Sequence, residues 1–153
     1  MGHRFGKEVG GMITEAEIDR MFDMGFDCSQ IVLGEVSENL GMSKEEAYRV
    51  AACFGIGMAQ DGVCGAATGA LMALGLKYGN DRPGEIDKKG RLFDIRDEFI
   101  RRFREMNGNV DCPELLGQRI HTLQDLMMTR PSGLYSNCPR YCYNAIMILQ
   151  DLL

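Results

Sequence analysis

Apolar residues recur at helical spacing along most of the chain, in blocks that begin at capping residues and end at glycines. Thr14, Asp27 and Ser43 are each followed three residues later by Glu or Gln, which is the pattern of a helical capping box. Gly25 and Gly41 end the first two blocks. No segment alternates with period two for long enough to form a strand. The pattern therefore predicts an all-α fold, a single bundle-like array of about six or seven helices.

The centre and the second half of the chain continue this pattern. The most apolar stretch is predicted to form a helix that ends at Gly79 and is capped by Asp61 or Gly62. A long amphipathic helix is expected from Glu85 to Asn107, and a shorter one from about Gly117 to Met128. The motif Asn137-Cys138-Pro139 is typical of a helix start and precedes the last apolar stripe.

Size and charge limit the classes of function. A chain of 153 residues fits one domain, expected over residues 14–153 after a flexible arm at 1–13. The net charge of −5 argues against binding to nucleic acid or to anionic membranes. The run from Ala66 to Leu76 is too short to cross a bilayer, and the first residues lack the apolar core of a signal peptide. These features predict a cytoplasmic protein without membrane insertion.

Six cysteines in a chain predicted to stay in a reducing compartment need an explanation other than structural disulfides, and metal binding or redox chemistry are the usual ones. Four of them lie at predicted helix N-termini: Cys28, Cys64, Cys112 and Cys138. The partial positive charge of a helix start stabilises a thiolate and lowers its pKa. We therefore predict these four as catalytic residues, with Cys64 as the reactive thiolate.

Glycines surround Cys64 in an otherwise apolar helix. Glycine inside a helix costs about 1 kcal/mol relative to alanine, so Gly65, Gly69 and Gly75 require compensation. The close approach of another backbone or of a cofactor would supply it. Gly62 and Gly65, on either side of Cys64, are the predicted cofactor-binding positions.

The remaining two cysteines are harder to interpret. Cys53 is expected inside a helix that runs on to Phe54, as a small buried apolar residue. Cys142 lies four residues after Cys138, so both can face one site as a metal pair or a regulatory thiol pair. Cys142 also lies on the apolar stripe of its helix, which favours a place in the core. The residues alone leave open whether Cys138 or Cys142 completes the site.

The segment CGAATG at 64–69 resembles the CGAxxG core of the C_GCAxxG_C_C family, small bacterial and archaeal proteins described as redox-active. Cys28, in GFDCSQ, is similar to the family's first cysteine, and Cys112, before PELLG, to the third. Cys138 precedes a final apolar helix, as the family's fourth cysteine tends to do. The resemblance covers about Phe22 to Leu152. It implies redox activity without naming a substrate.

Thiol/disulfide or electron-transfer chemistry is the function that these observations favour, and a thiol-based oxidoreductase is the corresponding enzyme class. The first alternative is an iron–sulfur cluster or another metal, which the resemblance also suggests, because related domains occur beside haem or iron–sulfur centres. The metal ligands would then be Cys28, Cys64, Cys112, Cys138 and Cys142. The second alternative is a non-catalytic helical docking module. The expected partner is a redox protein or a small thiol or disulfide, and a homo-oligomer is left open.

Overall fold

Helices account for nearly all regular structure in the computed structural model, which describes residues 12–153. The α-helices in that range are α1 (Glu15–Asp23), α2 (Cys28–Ser37), α3 (Lys44–Ala51), α4 (Gly65–Tyr78), α5 (Ile86–Asn107), α6 (Cys112–Leu116), α7 (Leu123–Thr129) and α8 (Cys138–Leu152). Short 3₁₀ turns join several of them, and within this range the only β pairing is an isolated antiparallel bridge between Val63 and Asp111. The predicted all-α fold is confirmed, with eight helices in place of six or seven.

The helix starts follow the sequence pattern closely. Capping boxes form at Thr14, Asp27 and Ser43, as predicted. The Asp27 backbone N–H, for example, donates to Gln30 Oε1 at 2.8 Å. These boxes satisfy backbone donors that a helix start would otherwise leave unpaired. The first residue of α2 is therefore fixed at Cys28.

Two helix boundaries differ from the prediction around the central helix. Helix α4 is capped by Cys64, and not by Asp61 or Gly62, because the preceding residues form a left-handed turn. Helix α3 ends at Ala51 and does not reach Phe54. The Phe54 N–H bonds back three residues to the Ala51 carbonyl at 3.0 Å, which closes a turn. Cys53 is exposed in this turn, so its predicted burial within a helix is wrong.

A third boundary, in the second half of the chain, was also predicted wrongly. Helix α7 begins at Leu123, and not near Gly117. Gly117 adopts a φ of 81° and ends α6, which separates the two helices. Thr122 caps α7 through a box with Asp125, whose N–H donates to Thr122 Oγ1 at 3.0 Å. The apolar spacing alone does not reveal this box, because Asp replaces the usual Glu or Gln.

The core lies where α2, α4 and α8 pack together, with α1, α3 and α5 around them. Helix α4 presents a face of small residues, and at Gly69 a Cβ would lie only 2.6 Å from the Ser29 carbonyl oxygen. Phe99 and Phe103 of α5 are fully buried against this centre. The close crossing of α2 and α4 brings the start of each helix to the same end of the core.

The predicted arm at 1–13 falls largely outside the described residues, which begin at Met12. Ile13 is 7% exposed and belongs to the core cluster. Among the helices of residues 12–153, none combines the length and the apolar character that a bilayer crossing requires.

Candidate functional site

Four cysteines from four helix starts line a single cavity, which we call the thiol cavity. Cys28, Cys112 and Cys138 are the first residues of α2, α6 and α8, and Cys64 is the N-cap of α4. The structure thus brings together all four residues that the sequence predicted as a shared site. Their role in chemistry stays a prediction.

The thiol cavity is small and mostly apolar. Its other walls are Phe22, Ile56, Leu115 and Leu116, with polar groups from Asp27, Tyr135 and Tyr141. The volume of the cavity that is open to the centre of a water-sized sphere is about 30 Å³. About 10–15 Å³ on that measure holds one water molecule, so the cavity has room for about two. A ligand enclosed there has to be correspondingly small.

The isolated β-bridge sets the backbones that lead into Cys64 and Cys112 side by side. The Cys64 N–H donates to the Val110 carbonyl at 2.7 Å, and the Cys112 N–H donates to the Gly62 carbonyl at 2.9 Å. These bonds flank the pairing of Val63 with Asp111. The chain therefore enters α4 and α6 from neighbouring extended segments, and both helix starts face the cavity.

Cys28 and Cys64 are neighbours where α2 crosses α4, since Cys28 Sγ lies against Gly65, the residue after Cys64. The interaction of the two thiols lowers the pKa of Cys28 and raises the pKa of Cys64, which assigns the proton of the pair to Cys64. Gly65 makes this contact sterically feasible, because a methyl group at that position would overlap Cys28 Sγ and approach Gly55 Cα at 2.8 Å. The expectation that a neighbouring backbone compensates for the helix glycines is correct for Gly65 and Gly69. At Gly75 no atom of the described residues lies within 4 Å of the Cβ position.

The Cys28–Cys64 interaction separates the acidities of the two thiols. The Cys64 thiol lowers the pKa of Cys28, and the backbone N–H groups of Ile56 and Ser29 add to this, against burial and the Asp27 charge. The same interaction, together with burial, raises the pKa of Cys64 well above its ordinary value. These directions favour Cys28 as the thiolate of the pair, whereas Cys64, which the sequence predicted as the low-pKa thiolate, has its pKa raised.

The other two cavity cysteines are also poor thiolates. Burial raises the pKa of Cys112 to about 12, and the nearby Cys28 and Asp61 charges add to it. Burial likewise raises the pKa of Cys138, helped by the charges of Cys28 and Cys112. A position at a helix start does not lower these two pKa values as expected, since desolvation outweighs the helix field. Because like charges repel, one thiolate in the cavity raises the pKa values of the remaining thiols.

A left-handed turn supplies one of the donors to Cys28. Ile56, Gly57, Met58 and Ala59 have φ values of 58°, 62°, 61° and 52°. Each non-glycine residue in this region costs about 1–2 kcal/mol. Such strain persists where the surrounding structure holds it, often at functional sites. Here the turn aims the Ile56 N–H at Cys28 Sγ.

Two polar groups of the cavity wall, Tyr135 and Tyr141, were not identified from the sequence. Tyr141 donates to the Leu115 carbonyl at 3.3 Å, whereas the buried Tyr135 hydroxyl has no hydrogen-bond partner among residues 12–153. The only available signal was proximity in sequence, since both tyrosines lie three residues from Cys138. The third polar group is Asp27, which directly precedes Cys28, and burial raises the pKa of its carboxyl.

The two cysteines outside the cavity are placed differently. Cys142 is fully buried in the core and does not line the cavity, so the structure favours Cys138 as the fourth cavity thiol. Cys53 lies at the surface. All six cysteines are free thiols.

The thiol set was tested as a metal site. Four thiolate ligands are the type of donor that zinc or iron–sulfur clusters prefer. In the part of the chain from residue 12 onward, however, no three Cys, His, Asp or Glu side chains are arranged to hold one metal ion. The predicted ligands Cys28, Cys64, Cys112, Cys138 and Cys142 therefore do not form a metal site as they lie. Their donor types fit a metal, but their arrangement does not.

The two glycines predicted to bind a cofactor, Gly62 and Gly65, pack against other parts of the protein. At Gly62 a Cβ would lie 2.9 Å from the Gly57 carbonyl oxygen, and at Gly65 it would overlap Cys28 Sγ. Both glycines thus allow close packing within the protein itself.

The fold and the site together define an all-α protein that gathers thiols from four helix starts around one cavity. The chain belongs to the C_GCAxxG_C_C family, since the family model described as "Putative redox-active protein (C_GCAxxG_C_C)" matches residues 26–152. Comparison with curated proteins and with solved structures gave no match. The family description indicates redox activity and names no substrate.

Proposed function

We propose that this protein is a dithiol oxidoreductase in which Cys28 and Cys64 form the redox pair. The observation that carries the proposal is the juxtaposition of the two cysteines in one cavity, where Cys28 Sγ lies against Gly65, the residue after Cys64. Thiolates, and not thiols, are the nucleophiles of thiol–disulfide chemistry. The pair provides one thiolate and one protonated thiol in contact, which is the arrangement that the two steps of disulfide formation need.

The chemistry follows from these two protonation states. The Cys28 thiolate attacks an atom of a two-electron oxidant, a disulfide or a peroxide, so that a bond to Cys28 Sγ forms and the oxidant's own S–S or O–O bond breaks. The fragment that leaves takes up a proton. Cys64 then attacks Cys28 Sγ, and the second fragment leaves with the Cys64 proton. The two cysteines lose two electrons, and an external dithiol returns them.

The geometry favours this pair over the other cavity thiols. Neighbouring thiols of this kind can form a disulfide, whose S–S bond is about 2.05 Å long. Cys112 and Cys138 lack a comparable thiol donor, and burial holds their pKa values high. We assign them a role in shaping the cavity around Cys28.

Disulfide mapping after controlled oxidation tests the proposal. The reduced protein is treated anaerobically with diamide, the remaining thiols are alkylated, and peptides are identified by mass spectrometry. We expect a Cys28–Cys64 disulfide in the wild type and in Cys53→Ser, which removes only the exposed thiol. A different pair, or six free thiols after oxidation, would overturn the assignment. Iron and zinc are measured on the same sample, and a stoichiometric metal that protects the thiols would favour the metal alternative.

A further inference from the structure

The Tyr135 hydroxyl is the unexplained polar group of the thiol cavity. Tyr135 is 7% exposed and lines the cavity, and its hydroxyl has no hydrogen-bond partner among residues 12–153. Burial is the main cause that raises the pKa of Tyr135, and the charges of Cys138 and Cys28 come next. The hydroxyl therefore lies near these thiols. A buried hydroxyl without a partner destabilises the folded protein. A polar ligand in the cavity would remove this cost.

The cavity limits the size of that ligand. Its 30 Å³ holds about two water molecules, and most of its wall is apolar. Phe22, Asp27 and Tyr135 also line a wider groove of about 390 Å³ on the same measure. These three residues separate the groove from the cavity and mark a short route inward. A molecule of two heavy atoms fits the space, whereas a peptide disulfide does not.

We propose that the oxidant of the Cys28–Cys64 pair is a small hydroperoxide, hydrogen peroxide in particular, and that the Tyr135 hydroxyl donates a hydrogen bond to its leaving oxygen. The inference rests on the redox pair proposed above and specifies its substrate class. Three features meet in it: the neighbouring Cys28 and Cys64, a hydroxyl with no partner among residues 12–153, and a space with room for two heavy atoms.

The reaction balances as follows. Cys28 Sγ attacks one oxygen of HOOH, so that an S–O bond forms and the O–O bond breaks. The second oxygen leaves as hydroxide, hydrogen-bonded to Tyr135, and becomes water by taking up from solvent the proton that Cys28 had released to it. The Cys64 sulfur then attacks Cys28 Sγ, and the bound OH leaves with the Cys64 proton as a second water. The products are a Cys28–Cys64 disulfide and two waters, and an external dithiol reduces the disulfide.

Tyr141 provides a comparison within the same wall. Its hydroxyl is already engaged with the Leu115 carbonyl, so it is not free to meet a ligand. Tyr135→Phe and Tyr141→Phe therefore remove the same atom from one cavity, but only the first removes an available donor.

The experiment measures the rate at which the Cys28–Cys64 disulfide forms, by quenched alkylation, with three oxidants: hydrogen peroxide, cumene hydroperoxide and diamide. We expect hydrogen peroxide to react faster than the bulky hydroperoxide. Tyr135→Phe should slow the hydrogen peroxide reaction about 10- to 100-fold, because a donor to a developing oxyanion contributes up to about 10²–10³ in rate. Diamide is too large for the closed cavity and reaches the pair only when the cavity opens. Its reaction with Tyr135→Phe should be unchanged, because the substitution leaves that opening as it is, whereas a structural defect would alter the rate. Tyr141→Phe should slow the peroxide reaction far less.

The outcomes separate the two proposals. Formation of the Cys28–Cys64 disulfide by diamide supports the redox pair. The peroxide inference is then wrong if hydrogen peroxide reacts no faster than cumene hydroperoxide, and it is also wrong if Tyr135→Phe leaves the peroxide rate unchanged. If Tyr141→Phe loses as much rate as Tyr135→Phe, the effect is one of packing, and the role of Tyr135 is rejected. If no oxidant forms the disulfide, both proposals fail.

Discussion

Cys28 and Cys64 meet at the crossing of α2 and α4, where their interaction lowers the pKa of Cys28 and raises the pKa of Cys64. Gly65 permits this contact, because any larger residue there would occupy the position of the Cys28 sulfur. The CGAxxG segment thus contributes both Cys64 and the space that the Cys28 sulfur needs. The reactive position lies on the other helix, at Cys28.

Replacing Cys64 should change the acidity of Cys28. Cys64→Ala removes the donor, so the pKa of Cys28 should rise and its pH profile of alkylation should move to higher pH. In the wild type, alkylation depends on the thiolate, and half-maximal rate should fall below pH 9.0, the ordinary value of a cysteine thiol. The measurement is the rate of iodoacetamide labelling of Cys28 against pH, followed by peptide mass spectrometry.

Cys64→Ser is the matched control, because a hydroxyl keeps a donor at the same position. Its profile should lie between those of the wild type and Cys64→Ala. Identical profiles for all three proteins would show that Cys64 does not control the pKa of Cys28.

Two glycines of α4 should respond to alanine with opposite signs. Gly65→Ala places a methyl group against Cys28 Sγ and 3.1 Å from the Ser29 nitrogen, and overpacking of this kind costs about 1–3 kcal/mol. Gly75→Ala meets no described atom within 4 Å, and should stabilise the helix by about 1 kcal/mol. Urea unfolding of both variants checks this. A Gly65→Ala protein as stable as the wild type would contradict the close crossing.

Replacing Ala59 with glycine should relieve the backbone strain in the left-handed turn. Ala59 has a φ of 52°, which costs an alanine about 1–2 kcal/mol, more than the roughly 0.5–1 kcal/mol of entropy that glycine loses on folding. Ala59→Gly should therefore raise the free energy of unfolding by about 0.5–1 kcal/mol. Ala52→Gly is the control, because Ala52 is exposed with a right-handed φ of −60° and should lose stability. Thermal unfolding of the two variants gives the comparison. A loss of stability in both variants would contradict the strain assigned to Ala59 in the left-handed turn.

Helix starts could be predicted from the sequence because their signals are local. The boxes at Thr14, Asp27 and Ser43 depend on residues three apart, and Cys28, Cys112 and Cys138 follow directly from such starts. The all-α fold follows from the same signals. The convergence of the four thiols was a hypothesis based on their common position at helix starts. The structure places all four around the thiol cavity.

The distribution of charge within the site could not be predicted in the same way. The helix-start argument gives all four thiols the same field, but burial differs and the thiols act on one another. Cys64 meets Cys28 because of a crossing between helices that are far apart in sequence. The left-handed turn at Ile56 and the exposed Cys53 likewise depend on tertiary structure, which overrides the local apolar pattern.

Chelation should leave stability unchanged. No three metal-binding side chains among residues 12–153 are arranged around one ion, so we expect no contribution of a metal to folding. Protein purified anaerobically, with and without EDTA, should unfold at the same temperature. A fall of several degrees with EDTA, reversed by zinc or iron, would show that the cysteines rearrange around a metal.

The most direct test of the central claim is an equilibrium redox titration of the protein in dithiothreitol buffers, with the Cys28 and Cys64 peptides quantified as free or disulfide-bonded. We predict one two-electron transition that both peptides follow together. The transition should be absent from Cys28→Ser and from Cys64→Ser, and unchanged in Cys53→Ser. A transition that persists without Cys28, or none over the whole range of potentials, would contradict the account.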